Sequence, residues 1–136
     1  MFRKIDDSIS VAPQITPAQV AEAAKLGFTL VINNRPDGEE PGQPSAAEIE
    51  AAAKAAGLGY VAIPITHQGF SEAQVAAMGE ALSGASGPVL AFCRSGTRST
   101  LVWALAQGRA GVDYDTLAGK AAGAGYDLGP IRGFFG

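Results

Sequence analysis

The chain has little of what a metalloprotein, a secreted protein or a nucleic-acid binder needs. Its 136 residues include one cysteine and one histidine. A single cysteine forms no disulfide within the chain, which fits a reducing compartment, and one Cys with one His makes no chelating cluster. Neither a metal nor an organic cofactor is expected. No uninterrupted apolar run approaches the roughly 20 residues that a membrane-spanning helix requires. The opening Met1-Phe2-Arg3-Lys4-Ile5-Asp6-Asp7 lacks the apolar core of a secretion signal. A soluble, cytoplasmic protein is expected. Lys and Arg number 10 against 13 Asp and Glu, for a net charge of -3. The cations are scattered, so neither nucleic acid nor a membrane surface is an expected partner.

What is present reads as one domain, large enough to bury about two thirds of the surface its unfolded chain exposes. Three helix starts share one pattern: Thr16-Pro17-Ala18-Gln19, Ser45-Ala46-Ala47-Glu48 and Ser71-Glu72-Ala73-Gln74 each form a capping box. They predict helices near 17–26, 46–56 and 72–82. Apolar, β-rich runs at Phe28–Asn33, Tyr60–Ile65 and Val89–Phe92 are too short for helices and read as strands. Ser8–Val11 reads as a short edge strand. Thr100–Gln107 and Tyr114–Ala122 continue as helices, and Gly123, Gly125, Gly129 and Gly133 break the tail into irregular or short helical turns. Alternating strands and helices imply a single three-layer α/β domain whose central, mainly parallel sheet has about four strands. The loops after Asn33, Ile65 and Phe92 then meet at one crevice, at the carboxyl edge of the sheet.

Cys93 stands at that edge. It ends the run Val89–Phe92 and opens Cys93-Arg94-Ser95-Gly96-Thr97-Arg98-Ser99, after which a helical pattern begins. Two arginines, a glycine and three hydroxyl residues close to one thiol do not read as core filling. They supply the electropositive setting that a thiolate nucleophile needs. The helix that follows turns its free N–H groups and positive dipole end toward the sulfur, so Cys93 to Arg98 reads as an anion-binding cradle.

Across nearly its full length the chain resembles the phosphatase-like domain of the bacterial beta-lactamase-hydrolase-like family, which is also described as a sulfurtransferase family. The stretches that carry the resemblance are Ile32-Asn33-Asn34-Arg35-Pro36-Asp37-Gly38-Glu39, Gln43-Pro44-Ser45, Phe92 through Ser99 and Gly125-Tyr126-Asp127-Leu128. The resemblance implies the fold of the protein tyrosine and dual-specificity phosphatases. It implies Cys93 as nucleophile, Arg98 as the arginine that grips the anion, and Ser99 as a hydroxyl that assists the departure of cysteine, unless Ser99 is instead the helix N-cap. Arg94, Ser95, Gly96 and Thr97 would complete the cradle, with Arg94 at its rim.

Two departures from the phosphatase pattern favour a different chemistry. Tyrosine phosphatases place five residues between cysteine and arginine, whereas Arg94 to Thr97 makes four, the length found in rhodaneses. The loop Thr66-His67-Gln68-Gly69-Phe70 contains no aspartate to protonate a leaving oxyanion, and sulfite leaving thiosulfate needs no proton. The expectation is therefore a sulfurtransferase that works through a Cys93 persulfide, takes thiosulfate or a persulfide as donor and acts beside enzymes of sulfide oxidation. The alternatives are a phosphatase working on a phosphate ester through phosphocysteine, and an anion- or persulfide-binding module without turnover. Arg35 and Asp37 follow the first central strand with Glu39. They read either as a solvated turn braced by an Arg–Asp pair or as a second anion contact and a candidate general acid. His67 is a second acid/base candidate, since an imidazole both donates and accepts protons near neutral pH.

Overall fold

The structure, a computed structural model, describes residues 2–135. Among them are five strands: β1 (Arg3–Asp6), β2 (Ile9–Ala12), β3 (Leu30–Asn33), β4 (Gly59–Ala62) and β5 (Val89–Phe92). The helices are α1 (Pro17–Lys25), α2 (Ala46–Ala55), α3 (Glu72–Gly84), α4 (Thr97–Arg109) and α5 (Tyr114–Gly123), followed by a 3-10 segment at Gly129–Phe135. The spatial order of the sheet is β1-β2-β5-β3-β4. Only β1 runs antiparallel to its neighbour.

The capping boxes form as the sequence predicts. Thr16, Ser45 and Ser71 each accept a hydrogen bond from the backbone N–H three residues on, and the side-chain oxygens of Gln19, Glu48 and Gln74 accept one from the N–H of the cap residue. Each pair satisfies two amides that a helix start otherwise leaves free. The sheet differs from the expectation of about four strands. Arg3–Asp6 forms a hairpin with Ile9–Ala12, and the latter is thereby an inner strand hydrogen-bonded on both sides. The four residues Arg-Lys-Ile-Asp carry too much charge to read as a strand. Their pairing is secured from outside, by Asp6 accepting from Ser8 in the turn and pairing with Lys120 of α5.

Period-two alternation divides the core. Along β5, Val89 and Ala91 face a cluster with Trp103, Leu101 and Met78 from α3 and α4, while Leu90 and Phe92 face Val20, Ala23, Ile49 and Ala53 from α1 and α2. Helix α4 is buried continuously from Arg98 to Ala106, so its start is held rigidly beneath the sheet edge. Trp103 is wholly buried there, and Phe134 lies exposed in the 3-10 segment. No helix among the described residues is long and apolar enough to cross a membrane.

Main-chain pairing continues past the strand ends and draws the three carboxyl-edge loops together. Cys93 N–H donates to Ala12, Asn34 N–H to Phe92, and Ile65 N–H to Asn34, at 3.3, 2.8 and 2.9 Å. The three loops thus meet at the carboxyl edge of the sheet.

Candidate active site

Cys93 leaves β5 as a buried side chain at the base of the loop. Helix α4 begins earlier than its apolar pattern suggests, because Gly96 takes up a left-handed conformation (φ 91°) and serves as its N-cap with no side-chain bond. The Gly96 N–H donates to Cys93 Sγ at 3.1 Å. Two further turn bonds stiffen the loop: Thr100 Oγ1 donates to Gly96 C=O at 2.8 Å, and Ser95 Oγ to Thr97 Oγ1 at 2.9 Å. Arg94 is exposed at the rim, its guanidinium 3.8 Å from Glu40.

Arg98 is in the first turn of α4 and is 8% exposed. A buried guanidinium costs several kcal/mol unless its donors find acceptors. Glu39 supplies two of them: Nη1 and Nη2 of Arg98 each donate to one carboxylate oxygen at 2.8 Å, and Nη1 also donates to the Ile65 carbonyl. A guanidinium has five N–H groups, and these contacts use both on Nη1 and one on Nη2. The Nε–H and the second Nη2–H meet no carboxylate or carbonyl among the described residues, and the further partner of the guanidinium is the Cys93 side chain. They form one edge of the fork, with the spacing that receives two oxygens of an anion. Glu39 raises the pKa of Arg98 above its ordinary value, chiefly by hydrogen bonding and against the effect of burial, with the nearby Cys93 adding to the rise.

Glu39 is the hinge of the cluster. Hydrogen bonds from Arg98 first and from Arg35 second outweigh burial and hold its pKa at about 2, against an ordinary 4.5. A carboxyl group depressed on folding contributes stability above its unfolded pKa and loses it as pH falls through the folded one. Removing the charge in Glu39→Gln is expected to cost about 2 to 3 kcal/mol at neutral pH. That difference should shrink between about pH 5 and pH 2; chemical denaturation of both proteins across this range checks it.

The structure corrects several expectations for the loop after β3. Arg35 is neither solvated nor paired with Asp37. It is 2% exposed, with Nε on Glu39 at 2.9 Å, Nη1 on Gln14 at 3.1 Å and Nη2 on Glu40 at 2.9 Å. It braces Glu39 from behind and does not present an open face to substrate. Asp37 accepts from the Ala46 N–H at 2.7 Å and so is engaged at the start of α2, where a carboxylate compensates free amides. It is not placed as a general acid in the crevice. Ser99 is not the N-cap of α4. It lies inside the helix, wholly buried, and its hydroxyl donates to Asn34 Oδ1 at 2.8 Å, while the Asn34 amide donates to the Ile63 carbonyl.

His67 lies next to Glu39. Its ring is largely exposed, with Nε2 4.0 Å from Glu39 Oε2, so it stands at the mouth beside the carboxylate that carries Arg98. The supporting roles of Asn34, Gln14 and Glu40 were not foreseen. The polar pair Asn33-Asn34 at the end of an apolar strand was the available signal, since such residues at a sheet edge must find partners. Among the described residues no group of three or more His, Cys, Asp or Glu is arranged to hold a metal.

Residues 1–110 match the family described as beta-lactamase hydrolase-like protein, phosphatase-like domain. The chain belongs to that family. A beta-lactamase hydrolase-like protein of Agrobacterium fabrum is 38% identical over 104 residues, covering 76% of this chain and 24% of the relative. One from Xylella fastidiosa is 36% identical over 128 residues, covering 92% of this chain and 29% of its own. The chain therefore spans about a quarter of the length of the curated relatives it matches. Among solved structures, a putative phosphatase from Neisseria meningitidis superposes with a TM-score of 0.85 at 34% identity, covering 98% of this chain and 94% of that one. Kinase associated phosphatase shares the fold at 14% identity, with a TM-score of 0.73 over 99% of this chain. The fold is that of the tyrosine and dual-specificity phosphatases, as the resemblance implied. These relationships support cysteine-based, phosphatase-like chemistry, and they favour the phosphatase alternative over the sulfurtransferase expected from loop length.

Proposed function

We propose that this phosphatase-like domain hydrolyses a phosphate monoester through Cys93. The thiolate attacks phosphorus, the P–O bond to the ester oxygen breaks, and the alcohol leaves with a proton donated by His67. Water then attacks the phosphocysteine, releasing inorganic phosphate and restoring the thiolate. The observation that supports this reading is the Nε/Nη2 edge of Arg98, which no carboxylate or carbonyl occupies, held by Glu39 and the Ile65 carbonyl beside the Cys93 side chain. Two fixed donors aimed at developing phosphoryl charge lower the barrier without reorganising in the transition state. Arg94 adds charge at the rim, and the hydroxyls of Ser95 and Thr97 line the exposed turn.

His67 supplies what the missing aspartate does not. General acid catalysis is worth about 10²- to 10⁴-fold when the leaving group is basic and little when it is not. Esters of weakly acidic alcohols should therefore slow by about a hundredfold in His67→Gln, and aryl esters with strongly acidic phenols by less than about threefold. Equal losses across a leaving-group series would remove His67 from the mechanism.

A second reading has its own specific observation. Four residues separate Cys93 from Arg98, and with Asp37 engaged at α2 no aspartate is delivered to the loop. Both features suit sulfur transfer: the thiolate attacks the outer sulfur of thiosulfate, sulfite leaves with the bonding pair, and the Cys93 persulfide passes its outer sulfur to an acceptor thiol or cyanide. Partner enzymes of sulfide oxidation belong to this reading alone. Turnover with neither donor, despite saturable anion binding, would make the domain a binding module.

A further inference from the structure

We propose that Tyr126 is a positioning residue for Cys93, acting through the single peptide unit between Ser95 and Gly96. The Tyr126 hydroxyl donates to the Ser95 carbonyl at 2.9 Å, and the N–H of that same peptide, on Gly96, donates to Cys93 Sγ at 3.1 Å. In a planar trans peptide the C=O and N–H point in opposite directions. Fixing the carbonyl toward Tyr126 therefore fixes the N–H toward the sulfur, although tyrosine and cysteine do not bond each other.

A second feature of the loop leads to the same assignment. Gly96 has φ 91°, and a Cβ built on it would collide with the hydroxyl and ring of Tyr126. The absence of a side chain at 96 is what lets the ring approach closely enough to hold the carbonyl. The ring is itself seated: the Arg3 guanidinium of β1 lies over its face, 5.3 Å from the centroid. Its backbone is anchored by the Tyr126 N–H donating to Ala121 at 2.9 Å. Burial, with Cys93 nearby, raises the pKa of the hydroxyl against the opposing pull of Arg3, which keeps it protonated and able to donate. The short hairpin strand β1 and the segment after α5 thus act on the nucleophile from outside the cradle.

The inference rests on Cys93 as the reactive thiolate, and it holds for either donor chemistry. Its test needs no substrate. Thiolate absorbance is followed against pH in the full chain and in Tyr126→Phe, each with its Cys93→Ser counterpart as blank. The phenylalanine keeps the ring packing and removes only the donor. The titration midpoint is expected to rise by about half a pH unit, so that below it the thiolate fraction falls about threefold. Inhibition by inorganic phosphate, which reads the Arg98 edge, should change less than about twofold. If Tyr126→Phe does not fold, 3-fluorotyrosine at position 126, a stronger donor, should move the midpoint down. An unmoved midpoint with a lowered melting temperature would reduce Tyr126 to a packing residue and overturn the proposal. An unmoved midpoint with slower turnover confined to esters of basic leaving groups would overturn it in favour of Tyr126 as an acid. Failure of the nucleophile itself would be distinct, since Cys93→Ser would then retain turnover.

Discussion

Cys93→Ser is expected to bring turnover to background, a loss of at least about 10⁴-fold. A serine hydroxyl attacks only when a base removes its proton, and no base is placed to do so. The imidazole of His67 stands at the mouth near Glu39, and the Ser99 hydroxyl is bound to Asn34. The Gly96 N–H can still donate to the new oxygen. Serine is close to cysteine in size and its oxygen keeps the Gly96 N–H as partner, so the fold should persist at a cost of about 1 to 3 kcal/mol for the buried hydroxyl. Turnover assays beside a thermal melt separate the two effects.

Arg98→Lys is expected to lower kcat/KM by about 10²- to 10³-fold, the scale seen when one fixed donor is taken from developing oxyanion charge. Lysine presents a point charge and cannot grip Glu39 with one edge while offering another to an anion. It leaves the carboxylate oxygens and the Ile65 carbonyl competing for one ammonium group, so the loss should include both kcat and stability. Arg94→Lys is the control. Its guanidinium is exposed, and its pairing with Glu40, at 3.8 Å, contributes little in water. A loss below about threefold is expected there. Equal, small losses for both variants would mean that the free edge of Arg98 does not meet the substrate.

Local signals in the sequence were read accurately where the cause is local. A hydroxyl three residues ahead of a glutamine or glutamate sets a helix start wherever the chain lies, and all three capping boxes formed. The delivery of Cys93 by a short apolar strand and the meeting of three loops at one sheet edge also follow from alternation and strand length. The pairings after β3 did not follow. Asn34-Arg35-Pro36-Asp37-Gly38 has the composition of a self-contained turn, yet Asp37 binds the start of α2 and Arg35 turns inward to Gln14, Glu39 and Glu40. Glu39 reaches an arginine 59 positions away, a choice fixed by the fold rather than by neighbours. Strand β1 was hidden because charge dominates its four residues, and only part of that charge is met locally: Lys4 pairs with Asp7, whereas Asp6 is also met by Lys120 of α5. Helix α4 starts earlier than its side-chain pattern implies because a left-handed glycine, Gly96, caps it without any side-chain bond.

The loop length that pointed to sulfur transfer describes the size of the cradle, whereas the donors left open by Arg98 describe what the cradle can hold. The deciding measurement is intact mass of the chain after rapid quenching with an aryl phosphate, run in parallel with thiosulfate on the same preparation. The account predicts a species one phosphoryl group heavier, located on Cys93, absent in Cys93→Ser and formed and lost at rates that match turnover. Hydrolysis without any such species would contradict covalent catalysis by Cys93. A species one sulfur atom heavier from thiosulfate, reversed by cyanide and with no phosphate hydrolysis, would replace the phosphatase reading with sulfur transfer.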